Sequence, residues 1–191
     1  MEKELATPDA YPLTLNSAIT ACNQKTNRTP VMTLTQGEVG HALRELEGMG
    51  LVRSDFGARS ERFEQTLTKH AGLRAASQAV IAMLMLRGPQ SINELLARTE
   101  RYTDLETPED VEDLLNRLMS MEVPLVKNLG HHSGQREDRY GHLLSGEPAL
   151  PEPSASGGAR GGTPTALEQR VIELEAQVAA LTERLTALEN G

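Results

Sequence analysis

Two stretches of this chain, 77 residues apart, carry the same residues in the same order. Gly57-Ala58-Arg59-Ser60-Glu61-Arg62-Phe63 and Gly134-Gln135-Arg136-Glu137-Asp138-Arg139-Tyr140 share the pattern G-x-R-x-acid-R-aromatic. Leu51-Val52-Arg53 and Leu125-Val126-Lys127 precede the two copies. Further upstream, Val39, Leu43 and Leu46 parallel Val111, Leu115 and Leu118, each set spaced 4 then 3 as on one helix face. Pro12, Leu15, Asn16 and Ile19 parallel Pro89, Ile92, Asn93 and Leu96, again 77 residues on. One small unit is therefore used twice, and whatever fold it adopts must suit both copies.

Each unit reads as helix, helix, hairpin. In unit one, a short helix runs from Leu15 to about Gln24. Thr35-Gln36-Gly37-Glu38 has the form of a capping box and opens a second helix with the stripe Val39, Leu43, Leu46. Gly48 and Gly50 end it. A strand then begins at Leu51 to Arg53, turns around Asp55 to Gly57 and returns through Phe63. Unit two adds a leading helix from Leu73 to about Leu86. A helix pair followed by a hairpin is the winged helix-turn-helix plan. The expected class is mainly α with small β-hairpins (α+β): a first winged helix over 1–72 and a second over 73–145. Unit one should have a leading helix before Pro12. Only 11 residues precede it and they are not apolar, so the reading expects that helix to be missing, with about a dozen residues upstream of Met1.

Residues 146–164, GEPALPEPSASGGARGGTP, are mostly Gly, Pro, Ala and Ser and read as a flexible linker with a span near 25 Å, from roughly 5–6 Å times the root of the residue number. Residues 165–190 read as a coiled-coil helix. Leu167, Val171, Leu174, Val178, Leu181, Leu185 and Leu188 form an unbroken heptad seam. The a positions are Val171, Val178 and Leu185, which with Leu at d favours a parallel pair of helices. Arg170 and Arg184 at g face Glu175 and Glu189 at the following e across such a dimer. A homodimer through this helix is the expectation; a single helix packed back on the globular part is the alternative.

Composition removes several classes. Aromatics are 3% of the 191 residues and Trp is absent, so the cores must be aliphatic. One cysteine rules out a disulfide framework and any multi-Cys zinc site. The longest uncharged apolar stretch, between Arg74 and Arg87, is far short of the roughly 20 residues of a membrane span. The start, MEKELATPDAYPLTLN, lacks the apolar run of a signal peptide, so a cytoplasmic protein without membrane contact is expected. The net charge of -8 argues against coating nucleic acid by charge alone.

Tyr11-Pro12-Leu13-Thr14-Leu15-Asn16, with Thr20-Ala21-Cys22-Asn23-Gln24-Lys25-Thr26-Asn27-Arg28-Thr29-Pro30-Val31-Met32, resembles the YceH-like bacterial proteins. So do Gly134 to Tyr140, His142-Leu143 and Ser145-Gly146-Glu147. The likeness covers about residues 1–147. It implies a tandem winged-helix fold, a cytoplasmic location, a variable linker and a C-terminal coil, with no catalytic residue to carry over. It also implies an N-terminal helix that this chain lacks.

In a helix-turn-helix, the turn and the start of the second helix lie nearest DNA. Here that zone carries Asn23, Gln24, Lys25, Asn27 and Arg28, then Gln36, His41 and Arg44. The hairpin adds Arg53, Arg59 and Arg62. Lys and Arg hold phosphates, and Asn and Gln pair with adenine edges. The competing reading is structural: Asn23 and Asn27 cap a helix and hold a loop, and the arginines pair with Glu61 and Glu64. Residues 11–72 hold 7 basic and 6 acidic groups; residues 73–148 hold 8 and 12. Unit two's second helix opens with Glu109, Asp110, Glu112 and Asp113, which repel phosphate and suit a protein partner. Two roles follow: a dimeric regulator binding double-stranded DNA through unit one, or an adaptor binding protein. No enzyme constellation or cofactor motif appears. His131, His132 and His142 lie in or beside a glycine-bearing turn without cysteine and point only weakly to metal. Cys22 reads as a buried small hydrophobe, and Met83, Met85, Met119 and Met121 as core.

Overall fold

The chain was analysed as a computed structural model, which describes residues 1–56, 60–131 and 136–148. Unit one contains α1 (Glu2–Ala6), β1 (Leu13–Thr14), α2 (Leu15–Cys22), α3 (Gln36–Gly48), β2 (Val52–Phe56), β3 (Glu61–Gln65) and α4 (Leu67–His70). Unit two contains α5 (Ala75–Arg87), α6 (Ile92–Thr99), α7 (Pro108–Met119), β4 (Val126–Asn128) and β5 (Tyr140–His142). The class is α+β, with an antiparallel sheet of order β1-β3-β2 and a second antiparallel pair, β4-β5. The expected coil seam, Arg59 and all of the linker beyond Pro148 lie outside the described residues.

The duplication reappears as matched hydrogen bonds. α2 and α6 have eight residues each at the same 77-residue offset. Thr14 caps α2 by accepting from the Ser17 amide, and Ser91 caps α6 by accepting from the Glu94 amide. The Leu13–Phe63 pairing has its counterpart in Gln90–Tyr140. Arg62 Nη1 donates to the Pro12 carbonyl at 2.8 Å, and Arg139 Nη1 to the Pro89 carbonyl at 2.9 Å. The second arginine of the repeated pattern thus pins each hairpin to the start of its own helix pair.

Local chemistry sets the ends of the elements. Thr35 and Glu38 form the expected capping box of α3, as do Ser91 with Glu94 on α6 and Thr107 with Asp110 on α7. α3 closes in a Schellman turn: the Leu51 amide reaches the Leu46 carbonyl and the Gly50 amide the Glu47 carbonyl. Gly50 has φ +73°, a conformation that strains any residue with a Cβ.

The two units differ in what they bury. In unit two, Val80, Ile81, Met83 and Leu84 of α5, Leu95 of α6, and Val111, Leu114, Leu115 and Leu118 of α7 form one core with Leu125, Val126 and Tyr140. α5 is enclosed because α1, α6, α7 and β5 all pack on it. Among the described residues, unit one shows no such central helix. Its stripe is graded: Val39 is buried, Leu43 half-buried and Leu46 37% exposed.

The segment before Pro12 departs from expectation. Glu2 to Ala6 does form a helix, of one turn, and it packs on α5. Glu4 accepts from Gln65 Nε2 on β3 and from the buried Gln78 Nε2 on α5, both at 2.7 Å. Polar staples therefore stand where a longer helix would bury apolar area. Further bonds join the units, from the Thr29 amide to the Leu86 carbonyl and from Asn27 Nδ2 to Met83 Sδ. Two other details are corrected. Met85 is 48% exposed beside Tyr11, Leu13 and Leu86 rather than core. Glu147 pairs with Lys127, and Pro148 stands over Gly141, where a Cβ would come within 2.7 Å of it, so unit two's packing continues past residue 145.

Candidate nucleic acid interface

The residues proposed from sequence to touch DNA separate into two sets. The first is consumed by the fold. Asn23 sits at the end of α2 and clamps the following loop, donating to the Leu34 carbonyl at 2.8 Å and accepting from the Leu34 amide at 2.7 Å. Asn27, at φ +58°, turns that loop and reaches Met83. Arg28 is 6% exposed. Its Nε and Nη2 donate to the Ala21 carbonyl at 3.2 and 2.9 Å, and Nη1 to the Asn27 carbonyl at 2.9 Å. Nη2 also reaches Glu2 Oε2 at 2.8 Å and Gln24 Oε1 at 3.3 Å. A phosphate has no route to this guanidinium. Arg28 is a bolt between α1, α2 and the loop, and Gln24 is part of its cage.

The second set faces solvent. Lys25 lies at the tip of the loop, and Gln36, His41 and Arg44 lie along α3, all exposed. His41 stands 3.6 Å from Glu45. Arg44 meets no carboxylate within 4 Å among the described residues. On the hairpin, Arg53 donates to Glu64 Oε2 at 2.7 Å, and Lys69 takes the other oxygen at 3.1 Å. Those two cations hold the Glu64 carboxyl below its ordinary value, Lys69 most strongly. Arg53 and Arg62 stay exposed, although each already has a partner.

The acids of α3 are occupied locally. Glu38 closes the capping box, and the Thr35 amide and hydroxyl hold its carboxyl below the usual range. Glu45 lies beside His41. Glu47 accepts from the Ser54 amide at 3.1 Å and from its hydroxyl, tying α3 to β2. In unit two the matching helix is different: Glu109, Glu112 and Asp113 are exposed on α7, and Asp110 is its cap.

Sequence reasoning missed the staples: Glu2, Glu4, Gln65, Gln78 and the Arg139–Glu94 pair at 3.0 Å. One signal was available for Arg62. A residue repeated in both a neutral and an acidic unit serves what the units share, which is the fold.

Reactive side chains are not gathered. Burial pushes the Cys22 thiol above its ordinary value, away from a nucleophilic thiolate. Among the described residues no three His, Cys, Asp or Glu side chains converge as a metal requires. No helix of those residues is long and apolar enough to cross a membrane.

His142 on β5 has a buried Nδ1 without a hydrogen-bond partner among the described residues, and burial lowers its pKa below 6.5. The neutral ring is favoured in the folded state only. As pH falls below 6.5 the unfolded chain takes up a proton that the folded chain resists, so stability declines down to the folded value. Urea midpoints at pH 7.5 and 5.5 should therefore drop for the wild type and drop less for His142→Phe. An equal drop in both would assign the loss to other groups.

A family described as "Protein of unknown function, DUF480" matches residues 1–135. A UPF0502 protein of Xanthomonas campestris pv. campestris strain B100 is 49% identical over 198 residues, covering 99% of this chain and 87% of its own length. Similar proteins occur in Cellvibrio japonicus, 46% identical over 96% of this chain and 89% of the relative, and in Mesorhizobium japonicum, 47% identical over 98% and 90%.

Proposed function

The chain belongs to the UPF0502 (DUF480) family, and from that premise we propose a non-enzymatic, regulator-like winged-helix protein that contacts duplex DNA through its first unit. In this reading α2 and α3 are the helix-turn-helix, α3 enters the major groove and the β2–β3 hairpin is the wing. The observation that carries it is the set of exposed donors on and before α3: Arg44 has no carboxylate partner among the described residues, and Lys25 and Gln36 are exposed, while Glu38, Glu45 and Glu47 keep their charge on the same helix. Folds host many functions, so the weight rests on this face rather than on the plan. The heptad seam from Leu167 to Leu188 would pair two copies and present two such faces.

The experiment is a titration into labelled mixed-sequence duplex at about 50 and 200 mM salt, wild type beside Lys25→Ala/Arg44→Ala. Arg28 is excluded as a probe because its removal would disturb the fold. Binding should weaken steeply with salt, with a slope near -0.9 per phosphate contact, and the variant should lose up to about two contacts of slope. Wild-type binding with the slope unchanged in the variant would move the contact off this face.

A second reading has its own observation. The exposed Glu109, Glu112 and Asp113 on α7 suit a basic protein surface and repel DNA, so unit two would dock a protein. No duplex binding even at 50 mM salt would leave this adaptor role as the proposal.

A further inference from the structure

Where the chain passes from unit one into unit two, the turn before α5 and one edge of α7 enclose an open cleft of about 450 Å³. Leu73 and Met121 are its part-exposed apolar surface, with the buried Leu114 and Leu118 beneath them. Its rim carries Arg74 and Arg117, both exposed. Among the described residues neither guanidinium has a carboxylate within 4 Å. Asp113, one turn before Arg117, is not in contact with it. Arg87, Arg101 and Arg136 likewise have no carboxylate within 4 Å among the described residues, but Arg74 and Arg117 are the two that line this cleft. Arg74 is also poorly placed for the fold alone. It is the first flanking residue of α5, where positive charge opposes the helix dipole, and its side chain makes no capping bond.

We propose that this cleft binds a small amphipathic carboxylate, a medium-chain fatty acid or similar aliphatic acid. The chain lies on Leu73 and Met121, and the carboxylate sits between Arg74 and Arg117. Cleft size falls in the range of small-molecule sites, and an apolar wall with a few convergent polar groups is their usual form. Arginine suits the head because its planar fork meets both carboxylate oxygens. An inorganic anion would leave the floor uncovered, and a neutral lipid would leave both cations unpaired. The occupant touches the connection out of unit one and α7 of unit two at once. The proposal is independent of DNA binding.

The test uses the full chain with 13C-methyl methionine. The seven methionines give seven reporters, and Met121 lies on the cleft floor. Titration with octanoate should shift the Met121 methyl saturably and leave Met32 and Met49 in place. Arg74→Gln and Arg117→Gln should each weaken binding about tenfold, with the other methyl positions unchanged as proof of folding. Acetate and 1-octanol should bind at least tenfold more weakly than octanoate. The proposal is overturned by no saturable shift up to about 10 mM octanoate. It is equally overturned if 1-octanol or acetate matches octanoate, or if both glutamine variants bind as the wild type does.

Discussion

Arg28→Ala should cost about 3–5 kcal/mol of folding stability, the range for removing one member of a buried ion pair. Alanine leaves Glu2, whose side chain is 8% exposed, with only the longer Lys3 contact at 3.9 Å. It also strips the buried Ala21 carbonyl and the part-buried Asn27 carbonyl of their side-chain donors. Three segments are released together: α1, the end of α2 and the loop leading to α3. Urea unfolding should show the loss as a lower midpoint with an unchanged slope. Glu2→Gln is the control. It keeps an acceptor for Nη2 and should cost less than half as much. A change within about 0.5 kcal/mol for Arg28→Ala would mean that the cage contributes nothing net, and Arg28 would return to the set available to a ligand. Should Arg28→Ala lose DNA binding as well, that loss would report the collapse of the reading face rather than a missing phosphate contact.

Leu115→Ala should cost about 3–4 kcal/mol, and its counterpart Leu43→Ala about 1–2. The two leucines occupy the same place in the repeated stripe, so sequence alone expects equal losses. Their surroundings differ. Leu115 has no exposed surface and sits among α5, α6 and the second hairpin, where deletion of its branch leaves a cavity that a packed core cannot close. Leu43 is half-buried, and water can fill the space. Thermal or urea unfolding of the two single variants measures the contrast directly. Equal losses would show that unit one is buried in solution as deeply as unit two, through packing that residues 1–148 do not supply. A larger loss for Leu43 would reverse the assignment of the main core.

Much of the architecture was legible because it is local or repeated. The capping boxes at Thr35, Ser91 and Thr107 need only residues three apart. The hairpins follow from β-formers flanking turn residues, and the duplication carries the helix pair and the hairpin from one unit to the other. The candidate interface was less legible. Gln36, His41 and Arg44 are exposed as the helix periodicity implies and Lys25 is exposed in the loop, but Asn23, Asn27, Arg28 and Arg62 look the same in one dimension. Polar residues near a turn can either face a ligand or satisfy the turn's own backbone. Which occurs depends on carbonyls brought from elsewhere, here Ala21, Leu34 and Pro12.

The sequence by itself determined the helix–helix–hairpin order in each unit, the duplication and the balance of charge, though not α1, β1 or α4, since periodicity, caps and composition act over a few residues or none. The tertiary structure alone decided which unit holds the core and which arginine is spent. Val39, Leu43 and Leu46 repeat Val111, Leu115 and Leu118, yet only the second set is enclosed throughout, because the apolar α5 packs on it whereas the described segment before Pro12 offers only the five-residue α1. Glu2, 26 residues away from Arg28, converts that arginine from a free cation into a buried one. Burial and pairing are properties of what arrives from a distance, and a local pattern does not specify its visitors.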